Sequence, residues 1–463
     1  MRIPFTRNVR LAVVAAATVL SLTGLSACSG SSGSGSDANS LEMWTFKQSH
    51  VGALRTAAAE FKKQTGVTVK VEAYTPDDAY TTKVQSAAKT GDLPDVLEVH
   101  SDGEDRVLGA AGILSDLSGD FKGDWAGRVQ QSVQQSGLVT AQRFKDSQPA
   151  TAKDHGIKEG QRFSVPLTVG TFGIVYGNKK LLAEAGISKP PADWEGFLAA
   201  LRATKAKNPT TGGLALGLKV QSTGLNWVLQ PLAFSQLGQT GYESLFGENK
   251  NADFASPNGL KVLNMYNELT PYWMPGAQSL TIDEADQAFA QGKAAFDVGG
   301  TFTLAFLQQN GMKPDDVIAF GLPSPKNGAI PHRALGPLAL TGLSLTATSK
   351  QPDNAKKWME FLSQQKVAAQ FAKDASDVPA TELGADAATV LGPTLSALVD
   401  SFKGTPRTTY DPSRGNEFRA PGYEQDDAGA ILADLTPLKQ QSVEATARKL
   451  RELNASYWAA ARQ

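Results

Sequence analysis

The sequence predicts an α/β protein of two lobes joined by a hinge, with a ligand cleft between them, and three observations carry that prediction. Strand-like and helix-like stretches alternate from Leu41 to Val99, which is the rhythm of a parallel sheet covered by helices. The chain has 463 residues, more than a single growing core serves. Two apolar stretches are broken by small or ring-closed residues, one at Pro166 and Gly170 and the other at Gly299-Gly300. At such breaks a strand loses part of its ladder and can turn toward another sheet.

Taken in order, Leu41 to Phe46 alternates as a strand, and Val51 to Gln64 places Leu54, Ala57, Ala58 and Phe61 on one helical face. Gly66 stops that helix. Val67 to Tyr74 alternates as a second strand, Tyr80 to Lys89 reads as a helix closed by Gly91, and Asp95 to Val99 is a third strand. Ligands collect at the carboxyl ends of such strands, here Phe46 to His50, Tyr74 to Asp77 and His100 to Glu104. A helix from Asp105 to Ala111 follows. Residues 120–160 are polar and weakly periodic, and no element is assigned to them. Arg162 to Leu182 then reads as strand, break, strand and helix start, carrying the chain from one lobe to the other past a ligand site.

Downstream, Trp194 to Lys205, Trp227 to Leu237, Pro257 to Glu268 and Ala285 to Gln291 have helical spacing, with strands at Leu214 to Val220 and Ala294 to Val298. Gly299-Gly300 is the expected second crossing. An apolar strand at Leu338 to Ala347, one amphipathic helix over Asn354 to Phe371 and a terminal helix over Ser442 to Ala460 complete the chain. The resulting division puts 41–168 and 300–342 in lobe 1, and 169–299 and 343–463 in lobe 2.

The first forty residues give an address. Arg2, Arg7 and Arg10 precede an apolar, Ala-rich run from Leu11 to Leu25 that is short for a membrane span. Leu25-Ser26-Ala27-Cys28 follows and holds the single cysteine of the protein. It resembles a bacterial lipobox, which implies lipidation of Cys28 and removal of a signal peptide, 1–27. The plainer alternative is an ordinary secretory signal cut nearby. Residues 28–40 form a Gly/Ser-rich tether that would reach roughly 20 Å. The expected location is the extracytoplasmic side of the cell membrane, held there by lipid. One cysteine permits no disulfide. With 45 basic and 46 acidic residues there is no general field for nucleic acid.

Four landmarks lie in order along the chain: Trp44-Thr45-Phe46 with the helix ending Phe61-Lys62-Lys63-Gln64-Thr65-Gly66; Gly91 through Val96; Val165-Pro166 through Tyr176 to Leu182; and Phe289 through Phe296 with its Gly-Gly. Together with Ser349 to Trp358 they resemble the family 1 extracellular solute-binding proteins, the substrate-capturing subunits of ABC importers. The resemblance covers about Leu41 to Ala380. It implies a periplasmic-binding-protein-like fold that closes on a solute, most often a sugar or oligosaccharide, a monomeric carbohydrate-transport lipoprotein, ABC permease subunits as partners, no cofactor and no metal.

A sugar site needs flat rings for CH faces and fixed polar groups for hydroxyls. Candidates at strand ends and helix starts are Trp44, Phe46, His50, Ser101 and Asp102, with Tyr80 on the helix after the second strand. Past the first crossing come Thr171 and Phe172, and Trp227 follows a polar loop. Gly300, Thr301 and Phe302 occupy the place where many sugar-binding members carry Gly-Pro-Trp, a departure from that pattern. Arg333 and Asp377 are drawn from later loops, Arg333 mattering most for an anionic solute. A secreted glycosidase or a binding protein for a non-sugar solute are the alternatives. Against an enzyme, there is no G-x-S-x-G elbow, no H-E-x-x-H and no Walker or Rossmann glycine pattern. Ser86 to Lys89 and Ser363 to Lys366 match S-x-x-K on amphipathic helices without the strand context that chemistry requires.

Overall fold

A computed structural model of the chain describes residues 39–101, 103–414 and 417–462. The signal peptide, Cys28, nearly all of the tether and Asp102 lie outside the described residues. Its strands are β1 Ser40–Thr45, β2 Thr68–Ala73, β3 Val96–His100, β4 Val165–Gly170, β5 Phe172–Asn178, β6 Leu214–Ala215, β7 Phe296–Gly300, β8 Val317–Gly321, β9 Ala334–Leu335, β10 Leu338–Leu345 and β11 Thr409–Tyr410. One sheet has the order β2-β1-β3-β10-β4, a second the order β6-β7-β5-β8, and β9 pairs with β11 as a short ribbon.

The expected β-α-β-α-β opening forms as a parallel unit, with β1 between β2 and β3. Alternation along β1 decides which layer each side chain joins. Leu41 and Met43 meet the helix Val51–Thr65, whose buried face is Leu54, Ala57, Ala58 and Phe61. Trp44 and, just past the strand, Phe46 join Tyr80, Val84, Leu97 and Val99 in the other layer. Phe61 meets Trp358 edge-on at 5.4 Å and Phe361 at a tilt at 5.2 Å between centroids, so the helix Pro352–Leu362 closes the first layer.

β10 and β4 add to this sheet antiparallel. Pro166 is tolerated because β4 is an edge strand and its partner shifts register opposite it. At Gly170 a Cβ would stand 1.8 Å from Thr301 Oγ1, so only glycine lets the chain pass there. Thr171 is the crossing, and β5 begins immediately in the second sheet.

Several assignments are corrected here. Gly299-Gly300 is not a crossing: after β7 the chain turns through the helix Thr303–Gln309 and returns as β8, antiparallel to β5 in the same sheet. Residues of 300–342 up to the β9 ribbon therefore belong to the second lobe. The return to the first sheet happens at Gly336, just before β10. The helices Pro352–Leu362 and Gln365–Ala375 stay on the first lobe, packed on the helix Val51–Thr65, so 343–463 does not lie wholly in lobe 2. A third passage follows residue 382, and the helix Ala387–Asp400 packs on β8. The helix expected over Asn354 to Phe371 is two helices, because Ser363 and Gln364 direct their N–H groups back to Glu360 and Phe361 and restart the winding. The strand expected to run to Val220 stops at Ala215.

In the second lobe Asp286, on the helix Ile282–Ala290, and Asp297, on β7, are both buried. Burial pushes the Asp286 carboxyl up to about 7. Burial, with the charge of Asp286 next to it, pushes Asp297 well above the usual carboxylate range. Folding thus favours the protonated acid, so this contribution is fully present below the ordinary pKa near ~4 and is lost as pH rises toward 7. Asp286→Asn is expected to raise stability at pH 8 by on the order of 2 kcal/mol and to change little at pH 4. Urea melts at the two pH values check this, and an equal loss at both would refute it.

Candidate functional site

Between the two lobes lies a cavity of about 1100 Å³. Its first-lobe wall is Ser101, Glu104, Arg106, the turn Gln131 to Ser136, Thr140, Arg143 and Lys153-Asp154. Its second-lobe wall is Phe172, Asn226, Gln230, Tyr242, the stretch 410–414 and residues of 417–424.

The polar 131–136 turn is positioned from behind by Arg162. Its guanidinium donates to the carbonyls of Ser136 (2.5 Å) and Gln134 (2.7 Å) and lies over the Phe121 ring at 4.5 Å. Burial lowers the Arg162 pKa to about 10. With its carbonyls occupied, the turn leaves the side chains of Gln131, Ser132 and Gln135 in the cavity wall. On the opposite side, Phe172 opens β5 and stacks on Trp227 with centroids 5.3 Å apart and planes 7° from parallel. Trp227 sits in a π-helical turn, Gly224–Leu229, and such turns often occur at functional positions.

Three cations of these walls, Arg106, Lys153 and Arg414, have carboxylate partners. Arg106 meets Asp154 at 3.1 Å, and Arg414 meets Glu243 at 2.7 Å and Glu417 at 3.0 Å. Lys153 of the first lobe meets Glu424 of the second at 2.9 Å, an ion pair across the mouth. The cavity thus offers amide, hydroxyl and aromatic surface beside these ion pairs.

Of the residues expected from sequence, Ser101 and Phe172 are in the wall. Trp227 supports Phe172 from behind, and Phe302 meets both rings edge-on with Lys47 Nζ 4.1 Å from its centroid. Thr171, Gly300 and Thr301 are buried in the crossing, where Thr171 Oγ1 donates to Gly336 O and Tyr176 Oη to Gly300 O. Trp44 and Tyr80 are core: Trp44 Nε1 donates to Glu42 Oε1 and Tyr80 Oη to Glu98 O. Phe46 stacks on His100 at 4.1 Å. Arg333 lies apart, in a cavity of about 340 Å³ that shares no lining residue with the cleft. Burial lowers its pKa to about 10, and it donates to Pro231 O, Ser235 Oγ and Leu322 O.

His50 and Asp377 form a separate structural group. His50 Nδ1 lies 2.8 Å from Glu98 Oε1 and Nε2 lies 3.1 Å from Asp377 Oδ2, all three side chains being buried. The group ties the turn after β1 to β3 and to the loop after the helix Gln365–Ala375.

The 120–160 stretch and the segments 410–414 and 417–424 are the wall elements that sequence reasoning did not assign. The one usable signal was negative: a long polar, aperiodic run in a protein of ordinary composition.

The chain matches the family described as bacterial extracellular solute-binding protein over residues 47–369. It belongs to that family. Among relatives of this solute-binding protein, YcjN of Escherichia coli K12, named as an ABC transporter periplasmic-binding protein, is 25% identical over 69% of this chain and 67% of its own. The maltodextrin-binding protein MdxE of Bacillus subtilis is 29% identical over 53% and 58%. The fold is shared with the GacH receptor of Streptomyces glaucescens, which is described with acarbose. That match has a TM-score of 0.65 and 17% identity, covering 91% of this chain and 98% of that one. The Thermus thermophilus maltotriose-binding protein gives a TM-score of 0.61 and 17% identity over 90% and 99%. Membership makes the chain a binding protein and not an enzyme.

Burial alone would lower the His50 pKa, but the Glu98 charge and the bonds to Asp377 and Glu98 outweigh it and raise the pKa to about 9. The stabilisation is fully present below ~6.5 and is lost as pH rises through about 9. Melting temperature should therefore fall between those values. His50→Gln should flatten that fall and cost roughly 3 kcal/mol at pH 6, since it leaves two buried carboxylates without their cation. An unchanged pH profile in the variant would exclude the ion group as its source.

Proposed function

We propose that this protein captures a sugar or oligosaccharide outside the cytoplasmic membrane by closing its two lobes, and passes it to an ABC permease while tethered through lipidated Cys28. The observation that carries the reading is the interlobe cavity of about 1100 Å³. It is at the upper end of ordinary ligand pockets, large enough for more than one sugar ring, and its walls combine aromatic faces with amides and hydroxyls. Ligand that touches both walls binds only the closed arrangement and so stabilises it. The ligands named for similar proteins, maltodextrin, acarbose and maltotriose, support a saccharide. Among the described residues no helix is long and apolar enough to cross a membrane; the anchor rests on the lipobox-like Leu25 to Cys28.

Thermal shift against a panel of maltotriose, raffinose, xylotriose and their monomers is the first test. A bound member at a hundredfold excess over its Kd should stabilise the protein by about 2.7 kcal/mol, with no product on long incubation. Phe172→Ala should weaken that member by at least about tenfold. No shift with any saccharide would move the solute to another class. Fractionation tests the anchor: Cys28→Ser should move the protein from membranes to the soluble extracytoplasmic fraction, and an unchanged distribution would remove lipidation from the reading.

A further inference from the structure

Resting on the solute-binding reading above, we propose that Gln230 is the positioning residue for the second-lobe wall of the cleft, holding Tyr242, Tyr410 and Arg419 in place through one amide oxygen. Gln230 is 3% exposed and follows directly on the π-helical turn Gly224–Leu229. Its Oε1 accepts from Tyr242 Oη at 2.8 Å, from Tyr410 Oη at 3.0 Å and from Arg419 Nη2 at 2.8 Å. Its Nε2 donates to Asn226 Oδ1 at 2.8 Å.

These partners come from four places in the chain: the π-helical turn, the helix Gln230–Ser244, β11 and the segment that follows it. All four line the cavity, as does Gln230 itself. Arg419 also packs over the rings of Phe246 and Phe418 at 4.5 and 4.7 Å, and Tyr242 meets Tyr410 and Phe418 edge-on.

The orientation of the amide follows from chemistry. A guanidinium only donates, so the atom facing Arg419 must be the oxygen. Both tyrosine hydroxyls at that same oxygen are then donors. The wall beyond β11 has little regular structure of its own: β11 is two residues long, and a short turn at Pro412–Arg414 follows. Its order therefore depends on side-chain anchoring, and two of its anchors, Tyr410 and Arg419, converge on the acceptor that also holds Tyr242.

The test follows from this donor arrangement. Glu at 230 keeps an acceptor for all three donors, whereas Leu fills a similar volume and keeps none. Hydrogen exchange on the unliganded full chain should show Thr409–Arg414 and Glu417–Tyr423 exchanging at least about tenfold faster in Gln230→Leu. In Gln230→Glu they should exchange near wild-type rates, with β1 to β3 unchanged in both. Maltotriose, or the panel member that shifts the wild-type melting temperature, should bind at least about tenfold more weakly to Gln230→Leu, with recovery to within about threefold in Gln230→Glu. Unchanged exchange in Gln230→Leu, or a loss of binding that Glu does not rescue, overturns the proposal. If no saccharide binds the wild type, the exchange comparison still decides the role of Gln230, and the failure falls on the saccharide assignment alone.

Discussion

The backbone and hydroxyl of Thr171 make the hydrogen bonds on which the two-lobed arrangement depends. Its N–H donates to Thr301 Oγ1 at 3.4 Å, its carbonyl accepts from the Thr301 N–H at 3.1 Å, and its hydroxyl donates to Gly336 O at 3.0 Å. One residue thus joins the crossing out of the first sheet, the end of β7 and the point of return. All three polar groups are buried, where an unmade bond would cost about 1–3 kcal/mol each. Because they satisfy one another, the crossing carries its own hydrogen bonds. One lobe can rotate against the other without breaking a sheet ladder. Gly170 completes the arrangement by letting Thr301 approach to a distance no side chain at that position would allow.

From this junction the cleft is built by elements with little regular structure. Neither sheet supplies most of its lining. The first-lobe wall is a turn pinned through its carbonyls to Arg162, and the second is an irregular segment pinned through side chains to Gln230. Rigid sheets set the separation of the walls, and loops set their chemistry, a division of labour common in binding proteins. The same logic explains why the buried carboxylates sit elsewhere. His50 with Glu98 and Asp377, and the pair Asp286 and Asp297, are packed within the lobes, and they govern stability against pH more than contact with solute.

Legibility in the sequence followed periodicity. β1 to β3 and their helices were readable because Leu41, Met43, Leu54 and Phe61 repeat at strand and helix spacing. The first crossing was readable because Pro166 and Gly170 interrupt an otherwise continuous apolar run. Gly299-Gly300 misled because small residues mark a close approach as readily as an exit; here they precede a helix that leads back into the same sheet. The cleft walls were largely illegible. Ser101 and Phe172 stand next to periodic strands and could be found by counting. Gln131, Gln230, Tyr410 and Arg419 become neighbours only through tertiary contacts between segments far apart in the chain, and an aperiodic polar stretch reads the same whether it lines a site or merely faces water. Trp44 near the end of β1, and Tyr80 on the helix after the second strand, proved to be core because that helix packs on the face of the sheet that Trp44 joins.

What holds the two walls together without solute can be weighed from the contacts between them. Lys153 and Glu424 are largely exposed, with side chains 71% and 48% accessible, and exposed pairs of this kind contribute about 0.2–1 kcal/mol and less in salt. Lys47 over the Phe302 ring adds on the order of 0.5–1 kcal/mol. Together they fall well short of the roughly 5.5 kcal/mol needed to move a two-state equilibrium from 1:99 to 99:1. A solute bound at micromolar affinity brings about 8 kcal/mol, several times the contribution of the direct contacts. A solute that touches both walls therefore contributes more to closure than these two contacts do, and the ion pair at the mouth lies where it can align the walls. The pairing of charges along the cleft fits that role: because Arg106, Lys153 and Arg414 already have carboxylate partners, closing on an uncharged solute leaves these three cations paired.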